Sequence, residues 1–230
     1  TAYARLVGGG WWRVVLTATM GASDTFADGR IGLADGSAFF YTGDGVSGLY
    51  IWGAQFEAGA YASSYTATVA SAVVRSADTS AQTVTSLWND LEDTIYLEGI
   101  TAPGLGTGSQ VALQYDDGTE DNRVRVERDS SGVVRAIVTT GGVEQCNLNM
   151  GALGNSTEMR LAFSLTANSF IARLNGGSEV TDTVGTMPTG ITTKRTGCDT
   201  TGNQWGGTIR RDTLFAHTLN TATLLSMTQG

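Results

Sequence analysis

Apolar and polar residues alternate with a period of two through much of this chain, and the alternation is interrupted at short intervals by Gly, Asn or Asp. The clearest case is Asn122-Arg123-Val124-Arg125-Val126-Glu127-Arg128, which turns at Asp129-Ser130-Ser131-Gly132 and returns over Val133 to Thr139. A period of two puts the valines on one face and the charges on the other, so this hairpin is buried on one side and wet on the other. The same reasoning predicts strands over 94–100, 159–165, 169–174 (followed by the turn Asn175-Gly176-Gly177) and 205–215. One short helix is predicted over Asn220 to Met227, with Asn220 as its N-cap and Leu224, Leu225 and Met227 turned inward.

Nearer the start, strands are predicted over Trp12 to Thr19, Arg30 to Leu33, Ala38 to Tyr41 and Leu49 to Phe56. The pairs Asp28-Gly29, Asp35-Gly36 and Asp44-Gly45 supply the positive φ of tight turns between them. Residues 66–86 lack Gly and aromatics and carry small polar or β-branched side chains, which suits an extended connector. The organisation is therefore a first segment over 1–68, a linker over 69–86 and a second segment over 87–230. The fold class is all-β: an antiparallel β-sandwich preceded by a partial one.

Composition narrows the function. With 41% apolar and 8% aromatic residues, the 230-residue chain can bury a core. A net charge of -8 argues against a nucleic-acid partner, because phosphate binding leans on Lys and Arg. No apolar run approaches the roughly 18 residues of a membrane span, so no membrane insertion is expected. Cys146 and Cys198 lack the paired spacing of a zinc site; one disulfide and two unpaired thiols both stay open.

Little in the chain points to catalysis. His217 is the one histidine and has no Gly-x-Ser-x-Gly elbow to serve. The acidic pairs Glu92/Asp93, Asp116/Asp117 and Glu120/Asp121 fall in loop-like sequence rather than on one strand, so an enzyme is not expected. Asp116-Asp117-Gly118-Thr119-Glu120-Asp121-Asn122 offers the oxygens of a calcium loop, or simply a hairpin turn with solvated acids; no other cofactor is expected. A sugar site needs an aromatic platform beside hydrogen-bonding groups. Trp205 next to Asn203 and Gln204, and Tyr115 next to Asp117, are the candidates; the alternative is that Trp205 packs at the sandwich rim and Tyr115 ends a strand. Trp11, Trp12 and Trp52 are expected in a core or subunit interface, and Trp88 at the start of the second domain.

One passage carries more specific information. Trp52-Gly53-Ala54-Gln55-Phe56-Glu57, then Ser63-Ser64-Tyr65 and the exit Arg75-Ser76-Ala77-Asp78, resembles the close of the carbohydrate-binding-like jelly-roll domains in tailed-phage tail fibres, head fibres and gene-transfer-agent spikes. Gly8-Gly9-Gly10-Trp11-Trp12-Arg13-Val14 and Tyr41-Thr42-Gly43-Asp44-Gly45 resemble a strand start and a final loop of the same domains. Phe56 stands where that family has Leu, and no Pro follows Tyr65. The second segment resembles a concanavalin-type or laminin-G-like jelly roll. These resemblances imply the carboxy-terminal portion of a longer fibre polypeptide, extracellular on a virion and homotrimeric. They imply a module that binds host cell-surface polysaccharide without cleaving it, with a purely structural fibre or decoration domain as the alternative and a polysaccharide-degrading spike as a weaker one.

Overall fold

A computed structural model describes residues 2–34, 42–59, 61–74 and 76–230. Two compact units, Thr1–Arg75 and Ser76–Gly230, divide the chain.

In the first unit, β1 (Ala2–Gly8) and β2 (Trp11–Leu16) form an antiparallel hairpin. The glycine run makes the turn, with Gly9 and Gly10 at positive φ, and the strand it was expected to enter follows directly, ending at Leu16 rather than Thr19. The expected strands over 30–33 and 49–56 do not form, because a strand requires a hydrogen-bonded neighbour and neither stretch has one among the described residues. The strand expected over 38–41 lies outside the described residues. The Trp-Gly-Ala-Gln-Phe-Glu passage is instead a clamp. Gln55 donates to Ser63 Oγ and to the Ser64 carbonyl, and its own oxygen accepts from the Thr66 N–H. The Glu57 carboxylate accepts from both the amide and the hydroxyl of Ser63, whose carbonyl accepts from Arg13. Tyr65 packs on Trp52 with ring centroids 4.8 Å apart. Gly53, at φ +67, lies under that Tyr65 ring, where a Cβ would meet it at 3.5 Å. Val15 is the one buried hydrophobic side chain described in this unit, whereas Trp12, Leu16, Phe26, Ile51, Trp52 and Phe56 are exposed.

The second unit is a β-sandwich. Its strands are β3 (Ala81–Thr83), β4 (Glu92–Ile100), β5 (Gln110–Asp116), β6 (Arg123–Arg128), β7 (Val133–Thr140), β8 (Val143–Ala152), β9 (Glu158–Thr166), β10 (Ser169–Leu174), β11 (Val180–Asp182), β12 (Thr193–Thr196) and β13 (Thr208–Phe215). One sheet has the order β11-β10-β9-β4-β13 and the other β3-β12-β5-β6-β7-β8, every pair antiparallel. The predicted alternation fills the core: Val124, Val126, Val134 and Val138 meet Ile95, Leu97, Leu161 and Phe163 from the opposite sheet. The predicted linker contributes to this unit. Ala81–Thr83 pairs with β12 at the sheet edge and Val84 is buried, since a small, β-branched stretch suits an edge strand as well as a connector.

The outer face of the five-stranded sheet is covered by α1 (Thr221–Thr228), whose Leu224 packs on Tyr96 and Ala162. Asn220 caps it as expected, its side-chain oxygen accepting from the Thr223 N–H at 2.9 Å. Asn220→Ala is expected to lower stability by about 1 kcal/mol in chemical denaturation, leaving the sheets intact. Cys146 and Cys198 are free and buried, which resolves the disulfide alternative in favour of thiols.

Candidate functional site

The six-stranded sheet turns its valines inward, and strand alternation therefore sends Gln114 and Asp116 of β5, Arg123, Arg125 and Glu127 of β6, Arg135 and Ile137 of β7 and Arg195 of β12 to its other face. Register then brings them side by side: Arg195 lies opposite Gln114, Gln114 opposite Arg125, and Arg125 opposite Ile137.

The charges on this face are interlocked. Arg195 grips Asp116 through two hydrogen bonds of 2.8 and 3.2 Å, and those bonds push the guanidinium pKa up. Arg123 pairs with Glu120 at 2.8 Å, and Arg125 reaches Glu127 at 2.9 Å, Asp199 at 3.6 Å and Glu120 at 3.7 Å. Gln114 donates to both Asp116 and Glu120. Several polar atoms are left over. The Gln114 carbonyl oxygen, the Nε of Arg123 and Arg125, and Glu127 Oε2 are buried without a hydrogen-bond partner in the protein, the Arg125–Glu127 contact being an ion pair without hydrogen-bond geometry. Gln114 is 0% exposed and Glu127 5%. A buried polar group left unpaired costs about 1–3 kcal/mol, so this face carries an unmet hydrogen-bonding demand beneath its partly exposed arginines and Glu120.

A loop over 197–205 borders the face. Its ends are tied down by the Gly197 N–H on the Ala112 carbonyl and the Trp205 N–H on the Gly197 carbonyl. Asp199 shapes its middle, accepting from the amides of Thr201 and Asn203, the Thr201 hydroxyl and the Asn203 side chain. Burial works to raise the Asp199 pKa, but those hydrogen bonds prevail and hold the carboxyl below its usual range. Thr200 donates to Glu120 and so joins this loop to the 117–122 turn.

The predicted site residues divide. Asn203 and Asp117 belong to the two loops that meet at this border, but both serve local structure: Asn203 holds Asp199, and Asp117 accepts from Thr119 and Asn122. Gln204 is half-buried, with its amide nitrogen unpartnered. The aromatic platform is not there. Trp205 is 2% exposed and donates its Nε1–H to the Ile100 carbonyl, while Tyr115 is 1% exposed and packs on Trp88 inside the sandwich. Every strongly exposed Trp, Tyr or Phe described lies in the first unit. In the loop offered for calcium, Asp116 is held by Arg195 and Glu120 by Arg123. Gln114, Arg125, Glu127, Arg195 and Asp199 were missed, although the Arg-Val-Arg-Val-Glu alternation put three charges on one face; that face, expected to be wet, is largely covered, with Glu127 and Ile137 each 5% exposed.

No protein-family model and no curated protein matches the sequence. Solved structures do match. A sialidase CBM40 module from Ruminococcus gnavus, bound to alpha2,3-sialyllactose, aligns over 61% of this chain and 84% of its own at 17% identity and a TM-score of 0.52. Domain 4 of the arabinanase AbnA from Geobacillus stearothermophilus, in complex with arabinotriose, aligns over 62% of this chain and 69% of its own at 11% identity and a TM-score of 0.51. The NanB sialidase of Streptococcus pneumoniae aligns over 66% of this chain but only 26% of its own, at 15% identity and a TM-score of 0.51. Likeness at these identities is a likeness of fold: the chain has the antiparallel jelly-roll β-sandwich that these carbohydrate-associated modules share.

Proposed function

We propose that this chain is the glycan-binding part of a phage or phage-like fibre, holding host cell-surface polysaccharide on the charged face of the six-stranded sheet without cleaving it. The carrying observation is the set of buried, unpartnered donors and acceptors around Gln114 and Arg125, on a fold also found in modules solved with oligosaccharides. The partly exposed members of that face, Arg123, Arg125, Arg195 and Glu120, are the ones a sugar meets, and a hydroxyl group, which donates and accepts at once, suits both signs. A non-catalytic role is supported by the state of the acids. Glycoside hydrolysis needs one carboxyl to carry a proton beside a second that is free, yet Asp116, Glu120, Glu127 and Asp199 are all engaged by guanidinium groups.

The fibre context and its extracellular setting on a virion rest on the Trp52 to Tyr65 passage, whose polar residues build the clamp described above. The exposed apolar side chains of the first unit support assembly with other copies, three in the usual fibre, and three weak sites would give avidity. The same exposure favours the second reading, a structural fibre or decoration domain. Retention of the chain on immobilised bacterial surface polysaccharides, with its mass measured by sedimentation, separates the two. Retention reduced at least ten-fold by Arg125→Ala, with no sugar released and a mass of three copies, is the expected result. A trimer retained by no polysaccharide would leave the structural reading standing.

A further inference from the structure

The ionic composition of the sheet face carries a statement about which sugars it takes. Three guanidinium groups, Arg123, Arg125 and Arg195, stand against four carboxylates, Asp116, Glu120, Glu127 and Asp199, so the cluster carries one net negative charge. Residues 76–230 as a whole hold 10 Lys and Arg against 17 Asp and Glu. None of the three arginines presents a free guanidinium. An acidic sugar needs a bidentate or charge-assisted partner for its carboxylate, and here each partner would first have to leave an acid already in place. What remains unpaired is of another kind. The Gln114 carbonyl oxygen is a buried neutral acceptor, and the Nε–H groups of Arg123 and Arg125 are donors whose charge is already balanced.

We infer that this face selects uncharged oligosaccharides and rejects acidic ones, in contrast to the sialyllactose held by the Ruminococcus gnavus module and in line with the arabinotriose held by the arabinanase domain. The inference rests on the glycan-binding reading above and adds the ligand class. Glu120 sets the selection. It is the most exposed of the four acids at 30% side-chain exposure, it contacts both Arg123 and Arg125, and the Gln114 amide and the Thr200 hydroxyl both converge on it. A sugar carboxylate approaching these arginines meets Glu120 first, and like charges side by side oppose association.

The test is calorimetric titration of the whole chain with arabinotriose, maltotriose, mannotriose and the matched pair lactose and 3′-sialyllactose. The parent, Glu120→Gln and Glu179→Gln are compared, the last removing the same charge from the turn between β10 and β11, where Glu179 pairs with Arg173 away from this face. The parent is expected to bind at least one neutral sugar and to bind sialyllactose roughly ten-fold more weakly. Glu120→Gln should narrow that ratio by about ten-fold and Glu179→Gln should leave it alone. Tighter binding of sialyllactose than of every neutral sugar, or a ratio unmoved by Glu120→Gln with circular dichroism unchanged, would overturn the inference and leave glycan binding intact. A folded chain that binds none of the five would overturn the glycan-binding reading and this inference with it.

Discussion

Replacing Trp205 by alanine is expected to cost the second unit about 3–5 kcal/mol and roughly 10 °C of melting temperature. The indole is 2% exposed and belongs to the main hydrophobic cluster. Its removal also leaves the Ile100 carbonyl without the Nε1–H donor 3.1 Å away. The surroundings cannot collapse to fill the space. Gly207 already sits so close to β4 that a Cβ there would lie 2.1 Å from the same Ile100 oxygen, and the Trp205 amide anchors the loop that borders the charged face. Calorimetry of the parent and Trp205→Ala chains would check this, and an unchanged melting temperature would contradict the burial. A loss of sugar binding in this variant would therefore report a loosened sandwich, whereas Arg125→Ala probes the face itself.

Asp93→Asn is expected to act in the opposite sense and to stabilise the chain by about 4 kcal/mol at pH 8. Asp93 is 0% exposed on the inward side of β4, in the corner occupied by Trp88 and Tyr115, and one of its carboxyl oxygens has no hydrogen-bond partner. Burial lifts its pKa from 3.8 to about 7, with Asp90 and Glu92 adding like charge and only the Asn89 N–H pulling the other way. A carboxyl whose folded pKa exceeds its unfolded one favours the folded state fully below pH 3.8, and that advantage is lost as pH rises toward 7. The amide keeps an acceptor for the Asn89 N–H and never ionises. Urea midpoints at pH 4, 6 and 8 should show the gain growing with pH and absent at the lowest value. A variant no more stable than the parent at pH 8 would mean that Asp93 is not titrating in the core.

How far the sequence could be read depended on whether a feature is local. The hairpin over 122–139, the strands that became β4, β9 and β10, and the Asn220 cap were all legible, because period-two alternation and a capping side chain act within a few residues. β5, with the polar residues Gln110, Gln114 and Asp116 buried beside its apolar ones, was not. Gln110 is met by the Gly104 carbonyl, Gln114 by Glu120 and Asp116 by Arg195 of β12, and nothing in β5 itself announces those partners. The candidate site was obscured for the same reason. Trp205 beside Asn203 reads as a platform in one dimension, but the loop that carries them turns the indole inward and Asn203 onto Asp199. Arg195 and Asp116, 79 residues apart, are joined only by the pairing of β12 with β5.

That pairing also governs how the chain reaches its native state. β4, the first strand of the five-stranded sheet, is bordered by β13, and β5, the first long strand of the six-stranded sheet, is bordered by β12, so early strands of both sheets close against the last ones made. During synthesis the β6-β7-β8 meander and the β9-β10 hairpin can assemble as they emerge, but β5 waits with one edge bare until Thr196 has been delivered and β4 until Phe215 has. Folding is then limited by closure of long loops and belongs to the millisecond-to-second class of β-sandwiches. The waiting edges are the point at which ribosome stalling or premature termination would turn this domain toward aggregation.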